Sequence, residues 1–161
     1  MLKILIAVDG SSPSLDAARH AILLAQQGLK AHFVLAHVQQ EASLLELATQ
    51  GADLIAAASL EAGKHLVAEA ENLIRAAGLS YEVEIELGEA AGKLVEIAER
   101  MQCQQIIIGA LGRSGLRSVL IGSVSREVAR KSRLPVTIVK HADASDEASA
   151  QNQEPAEEDF N

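Results

Sequence analysis

Short apolar runs alternate along residues 3–140 with longer stretches in which apolar residues recur every three or four positions. The short runs are rich in Ile, Leu and Val, which is typical of strands buried on both faces. The longer stretches have the period of an amphipathic helix, as in Leu15, Ala18 and Ile22. This alternation predicts strands at 3–8, 31–38, 81–87, 105–108 and 136–140, and helices at 13–27, 56–77, 90–101 and 123–132. Residues 41–53 fit a loop, a short helix or a flap.

Strands that alternate with helices build a parallel sheet, because each parallel crossover needs a helix-length connection. The chain is therefore predicted to be a single α/β domain of the Rossmann-like kind. In such a domain an open parallel five-stranded sheet has helices on both faces. The length of 161 residues suits one domain, and with only three aromatic residues its core must consist of Leu, Ile, Val and Ala. Periodicity alone leaves several strand orders open.

Acidic residues are concentrated at the C-terminal end of the chain. The formal net charge is -8, and residues 142–161 hold seven Asp and Glu but no Lys or Arg. Residues 1–141 are therefore close to neutral. A segment so polar cannot bury enough apolar surface to offset the entropy of ordering. The composition predicts a domain at residues 1–141 and a disordered acidic tail at 142–161.

The composition also disfavours several classes of function. Binding to single-stranded nucleic acid relies on aromatic stacking, for which this chain has few residues. Cys103 is the only cysteine, so the chain has no intrachain disulfide and no sign of an oxidising compartment. The apolar run at residues 4–8 is too short for a signal peptide or a membrane span, so a cytoplasmic location without membrane insertion is predicted. The five histidines lack metal-ligand spacing, and no metal site is predicted.

A pattern of glycines follows the predicted fourth strand. Gly109 and Gly112 begin where that strand ends, and Gly122 and Ser123 open the next predicted helix, whose apolar face is expected to carry Val124 and Val128. Glycine allows a ligand to approach the backbone closely, and the unpaired N–H groups of a helix start attract anions. The pattern therefore predicts a phosphate site, although a tight turn followed by an ordinary helix cap would also explain these glycines.

Two familiar phosphate-binding patterns are absent. A Walker A loop has four residues between its glycines and a hydroxyl residue after its lysine. The segment from Gly88 to Lys93 has only three residues between its glycines, with Leu94 at the hydroxyl position, so it is interpreted as a false match. The Gly-x-Gly-x-x-Gly dinucleotide fingerprint is missing as well.

Residues 109–140, GALGRSGLRSVLIGSVSREVARKSRLPVTIVK, closely resemble the C-terminal signature of the universal stress protein family, in its ATP-binding branch. That signature is a glycine, two residues, a glycine, nine residues and then Gly-Ser or Gly-Thr, and every position is filled here. LKILIAVDGSS at residues 2–12 and FVLAHV at 33–38 resemble the family's first and second strands. The resemblance implies the strand order 3-2-1-4-5, which makes the first and fourth strands neighbours.

The resemblance also implies a set of ligand contacts. Asp9 and Val38 are expected at the adenine and ribose, with Ala7 and Ile108 lining the pocket, although an Asx turn alone would explain Asp9. The phosphate chain is expected to contact the backbone amides of the glycine segment, with Arg113 as a nearby cation. The expected phosphate residues are Gly109, Gly112, Arg113, Gly122, Ser123 and Val124.

The same resemblance implies a function. ATP is the expected ligand, with Mg²⁺ held mainly by phosphate oxygens and water. The expected role is in stress response or as a nucleotide-dependent regulator of an unknown protein partner, from a homodimer that pairs through residues 136–140. Two alternatives are an enzyme that hydrolyses ATP or transfers adenylate, and a dimeric interaction module that ignores nucleotide. No residue of the sequence is well placed as a base or nucleophile, so no catalytic residue is predicted.

Overall fold

Five parallel strands and four helices form the part of the chain that the computed structural model describes, which is residues 1–40, 52–111 and 121–140. The strands are β1 (Leu2–Ala7), β2 (Ala31–Gln39), β3 (Tyr81–Leu87), β4 (Gln105–Gly109) and β5 (Val136–Val139). The helices are α1 (Ser12–Gln26), α2 (Ala52–Ala76), α3 (Ala90–Arg100) and α4 (Ser123–Lys131). The predicted tail at 142–161 lies outside the described residues.

The strands make one sheet in the order β3-β2-β1-β4-β5, and every pair is parallel. The expected order is therefore confirmed. Most predicted boundaries agree with the structure to within one residue. The prediction for the second helix was wrong at its start, because α2 begins at Ala52 and not at residue 56. Its first turn carries no buried side chain among the described ones, so periodicity could not mark where the helix begins.

Helices cover both faces of the sheet, which divides the core into two layers. Residues of β1 alternate between the layers, as the period of a strand requires. Ile4 and Ile6 pack with residues of α1 and α2, whereas Leu5 and Ala7 pack with residues of α3 and α4. Both layers consist almost wholly of Ile, Leu, Val and Ala, and Phe33 is the one aromatic side chain among the fully buried residues that the structure describes. The core composition predicted from the sequence is confirmed.

Candidate functional site

A cleft of about 790 Å³ opens at the carboxyl ends of the central strands. The ends of β1 and β4 meet there, and the strands on either side of this pair are reached by crossovers in opposite directions. Such a switch point is the place where open α/β sheets bind ligands. Eight of the residues predicted from the sequence line this cleft, namely Ala7, Asp9, Val38, Ile108, Gly109, Gly122, Ser123 and Val124. The other two, Gly112 and Arg113, lie outside the described residues.

One side of the cleft is formed by the N-terminus of α4. Gly122 is the N-cap residue, and no side chain in the described part of the chain caps this helix. The first N–H groups of a helix have no partner within the helix itself. The amides of Ser123, Val124 and Ser125 therefore form the uncapped N-terminus of α4 at the cleft wall.

The N-terminus of α4 is fixed to the end of β4 through the carbonyl oxygen of Ala110. That oxygen accepts a hydrogen bond from the Gly122 amide at 2.6 Å and a second from Ser125 Oγ at 2.9 Å. Ser125 is buried, and its hydroxyl also lies 3.1 Å from the Gly122 carbonyl oxygen. These bonds hold the uncapped helix end at the switch point.

The sequence interpretation of α4 needs one correction. Val124 and Val128 were both expected on its apolar face. Val128 is fully buried, but Val124 is exposed and lines the cleft. In the first turn of α4, Ser125 is buried instead, and its hydroxyl donates a hydrogen bond to the Ala110 carbonyl oxygen at the end of β4.

Asp9 follows β1 and forms an Asx turn. Its Oδ1 accepts hydrogen bonds from the Ser11 amide at 3.0 Å and the Ser11 hydroxyl at 2.5 Å. The Asp9 amide in turn donates to Ser14 Oγ at 3.3 Å. This turn leads directly into α1, whose N-cap is Ser11. The turn that the sequence offered as an alternative explanation of Asp9 is thus present, and it holds the carboxylate at the cleft.

Gly109 lies at the cleft, but the residue there must be glycine because the backbone of α1 packs against it. A Cβ at this position would come within 2.4 Å of the Pro13 carbonyl oxygen and 3.1 Å of the Ser14 amide nitrogen. The first turn of α1 therefore packs directly on the backbone of β4. Any larger residue would separate the two elements.

Part of the cleft lining is apolar. Ala7 and Ile108 are buried beneath the cleft, and Val38 is half-buried at its edge. Leu66 of α2 and Leu94 of α3 add further apolar surface. A lining that combines apolar side chains with a few polar donors is common in sites for small molecules.

The model of the universal stress protein family matches residues 1–140. The chain belongs to the universal stress protein family. This universal stress protein is 32% identical over 139 residues to universal stress protein MJ0531 of Methanocaldococcus jannaschii. The aligned region covers 86% of this chain and 81% of the relative. The resemblance stated from the sequence is confirmed.

Two solved structures are similar to this universal stress protein. One is the structure of protein MJ0577, with a TM-score of 0.73 and 27% identity over 89% of this chain and 98% of that one. The other is the universal stress protein from Archaeoglobus fulgidus in complex with dAMP, with a TM-score of 0.58 and 25% identity over 87% of this chain and 98% of that one. The match with this chain extends over nearly the whole length of both solved structures.

Several polar residues that the sequence did not predict for the site also line the cleft of this universal stress protein, and three of them are His37, Arg126 and Glu89. His37, near the end of β2, is buried at the cleft with Nδ1 2.8 Å from the Val8 carbonyl oxygen. Arg126 is exposed, lines the cleft and donates to the Ile121 carbonyl oxygen at 3.3 Å. Glu89 belonged to the false Walker match and caps α3. For Glu89 and Arg126 the sequence offered one signal, which is that each is a charged residue within one turn of a predicted helix start.

Within residues 1–40, 52–111 and 121–140, no group of three or more His, Cys, Asp or Glu is arranged to hold a metal ion. No helix among these described residues is long and apolar enough to cross a membrane.

Proposed function

We propose that this universal stress protein binds an adenine nucleotide, ATP together with Mg²⁺, in the cleft between β1 and β4. The observation that carries the proposal is a helix N-terminus that no described side chain caps, together with apolar residues that line the same cleft at the switch point of the sheet. The first feature suits a phosphate group, and the second suits a purine base.

The phosphate chain would contact the amides of Ser123, Val124 and Ser125 and the Arg126 guanidinium. Uncapped amides and a helix dipole favour an anion, and a guanidinium adds charge-assisted hydrogen bonds. Gly112 and Arg113 would contact the phosphates as well, as the resemblance to the family signature implies. At the other end, Ala7, Val38 and Ile108 would contact the base, and Asp9 would accept a hydrogen bond from the ribose.

A related structure supports the class of ligand. The Archaeoglobus fulgidus universal stress protein has been solved with dAMP bound, and its fold matches 87% of this chain. An adenine nucleotide is thus a ligand of a protein with the same architecture, and the signature glycines are present here.

Mg²⁺ would enter with the nucleotide. Asp9 and Glu89, the two carboxylates that line the cleft within the described part of the chain, are engaged by protein donors, since Asp9 Oδ1 bonds to Ser11 and both Glu89 oxygens bond to α3 amides. Mg²⁺ keeps several waters and binds nucleotide phosphates with few protein ligands. The residues present fit an ion coordinated by phosphate and water.

We also propose that two copies pair through β5. Both β3 and β5 are edge strands, but they differ in charge. β3 carries Glu82, Glu84 and Glu86, each paired with Lys or Arg, whereas β5 has the uncharged sequence VTIV. Charged side chains protect an edge against pairing, and an uncharged edge permits it.

The proposed role is that of a binder in the stress response, which acts on a partner protein according to the bound nucleotide. The first experiment is mass spectrometry of nucleotide released from the purified protein, followed by calorimetric titration with ATP, ADP and AMP at millimolar Mg²⁺. Stoichiometric binding with negligible turnover supports the proposal. Absence of binding would contradict it, and rapid release of ADP and phosphate would favour the enzyme instead.

A further inference from the structure

Two helix N-termini line the cleft, and they differ in what occupies them. The N-terminus of α4 has no side-chain cap among the described residues, whereas that of α3 is filled by Glu89. Since every helix N-terminus attracts anions, an unprotected α3 would offer a second place for a nucleotide phosphate.

The Glu89 carboxylate engages three donors. Oε1 accepts from the Ala91 amide at 2.9 Å, and Oε2 accepts from the Gly92 amide at 2.7 Å and from Lys131 Nζ at 3.0 Å. Two backbone amides and an ammonium group are also the donors that typically hold a phosphate. The Glu89 carboxylate therefore occupies a small anion site built by α3 and the last residue of α4.

The backbone before Glu89 directs it into this position. Gly88 has φ +144°, a conformation that side-chain-bearing residues rarely adopt. Its amide donates to the Gln39 carbonyl oxygen at 3.0 Å, which ties the end of β3 to the end of β2. The chain can then turn at Gly88 and present Glu89 to the first turn of α3.

We propose that Glu89 is a specificity-determining residue that keeps the phosphate away from α3 and so fixes the direction in which the nucleotide lies in the cleft. This inference rests on the proposed function, since it takes α4 as the phosphate end. The carboxylate acts in two ways. It fills the amide donors of α3, and it repels a second anion at short range.

The same donors lower the pKa of the Glu89 carboxyl below its usual value, and the Lys131 ammonium contributes most, followed by the Gly92 and Ala91 amides. Glu89 is therefore ionised at neutral pH and keeps the charge that repels phosphate.

The test uses ¹⁵N-labelled full-length protein titrated first with inorganic phosphate and then with AMP, with backbone amide shifts as the readout. The variant is Glu89→Ser, because serine is a favoured N-cap residue that preserves α3 while removing the charge. Glu89→Gln provides a second variant that keeps a side-chain acceptor. The matched control is Glu96→Ser, which removes an equally exposed carboxylate from the same helix, where it pairs with Lys93.

In Glu89→Ser, phosphate should move the amide signals of Ala91 and Gly92 in a saturable way, with at least tenfold tighter binding than in the parent protein or in Glu96→Ser. AMP should then perturb both helix starts, whereas in the parent protein it should perturb only one of the two, that of α4 at Ser123–Ser125. The inference is overturned if neither Glu89 variant gains phosphate binding at Ala91 and Gly92, or if the parent already binds phosphate there. Failure of AMP to move Ser123–Ser125 in the parent would instead contradict the proposed function, and the phosphate titration would still decide the role of Glu89.

Discussion

His37 Nδ1 donates a hydrogen bond to the Val8 carbonyl oxygen across 2.8 Å, and this bond joins the end of β2 to the end of β1. Because a carbonyl oxygen can only accept, the proton is on Nδ1. The ring also lies against α2, where a Cβ at Gly63 would come within 3.1 Å of His37 Cδ2. His37 thus holds β1, β2 and α2 together at the end of β1, next to Asp9.

Two substitutions of His37 should distinguish the contribution of its hydrogen bond to stability from that of its volume. His37→Leu keeps a bulky side chain but removes the donor to Val8, so the free energy of unfolding should fall by about 1–3 kcal/mol. His37→Asn can place an amide N–H near the position of Nδ1 and should lose less stability. Urea unfolding followed by circular dichroism measures both, and equal losses in the two variants would show that the hydrogen bond is not the important contact.

Gly122→Val should weaken nucleotide binding while the domain stays folded. A Cβ at Gly122 would lie 3.2 Å from the Ala110 oxygen, and the larger side chain would enter the cleft beside the α4 amides. ATP affinity measured by calorimetry should fall at least about tenfold, or roughly 1.4 kcal/mol. Gly122→Ala is the milder control and should fall less. Unchanged ATP affinity in Gly122→Val would mean that the phosphates bind elsewhere.

Arg126→Gln should weaken ATP binding through charge. Arg126 lines the cleft, and loss of one partly solvated cation should reduce ATP affinity by about 1 kcal/mol, or roughly fivefold, with a smaller salt dependence. Adenosine binding should not change, because adenosine carries no phosphate. Arg130→Gln on the same helix is the control, since Arg130 pairs with Glu127 and is absent from the cleft lining. Equal effects of the two variants would rule out a local role for Arg126.

Ile138→Pro should remove the proposed dimer. Proline lacks the N–H that edge pairing needs, and Ile138 lies in the uncharged edge strand β5. Light scattering should give half the mass of the parent protein, with circular dichroism as the check on folding. Val83→Pro places the same change on the charged edge β3 and should leave the assembly intact. A folded Ile138→Pro protein of unchanged mass would place the interface elsewhere.

Cys103 should react slowly with thiol reagents in the folded protein. Burial raises the pKa of its thiol to about 11, so the thiolate that reacts is scarce at pH 8 and increases as the pH rises toward that value. Its labelling by a disulfide reagent at pH 8 should be at least about tenfold slower than that of the urea-unfolded chain. Labelling at the same rate in both states would show that Cys103 is accessible.

The alternation of elements, the composition of the core and the glycine signature could all be predicted from the sequence. Strand and helix periods are local properties, so runs such as Gln105–Gly109 are visible without knowledge of their neighbours. The start of α2 was misplaced because none of the described side chains in its first turns is buried, so that they leave no pattern. The strand order came from the family resemblance, since the period of a strand does not reveal which strand it pairs with.

The tertiary structure alone decided the roles of individual side chains at the cleft. Glu89, Lys131 and Arg126 are ordinary charged residues in the sequence, and only the packing of α4 beside α3 brings Lys131 within 3.0 Å of the Glu89 carboxylate. Gly109 looks like a ligand-binding glycine in the sequence, whereas the structure assigns its bare backbone to contact with Pro13. The sequence determined that the chain would fold as an α/β domain with a helix start after β4, because periods and turn residues act locally. Which helix start is open to an anion depends on contacts between residues far apart in the chain, and these exist only once the sheet is assembled.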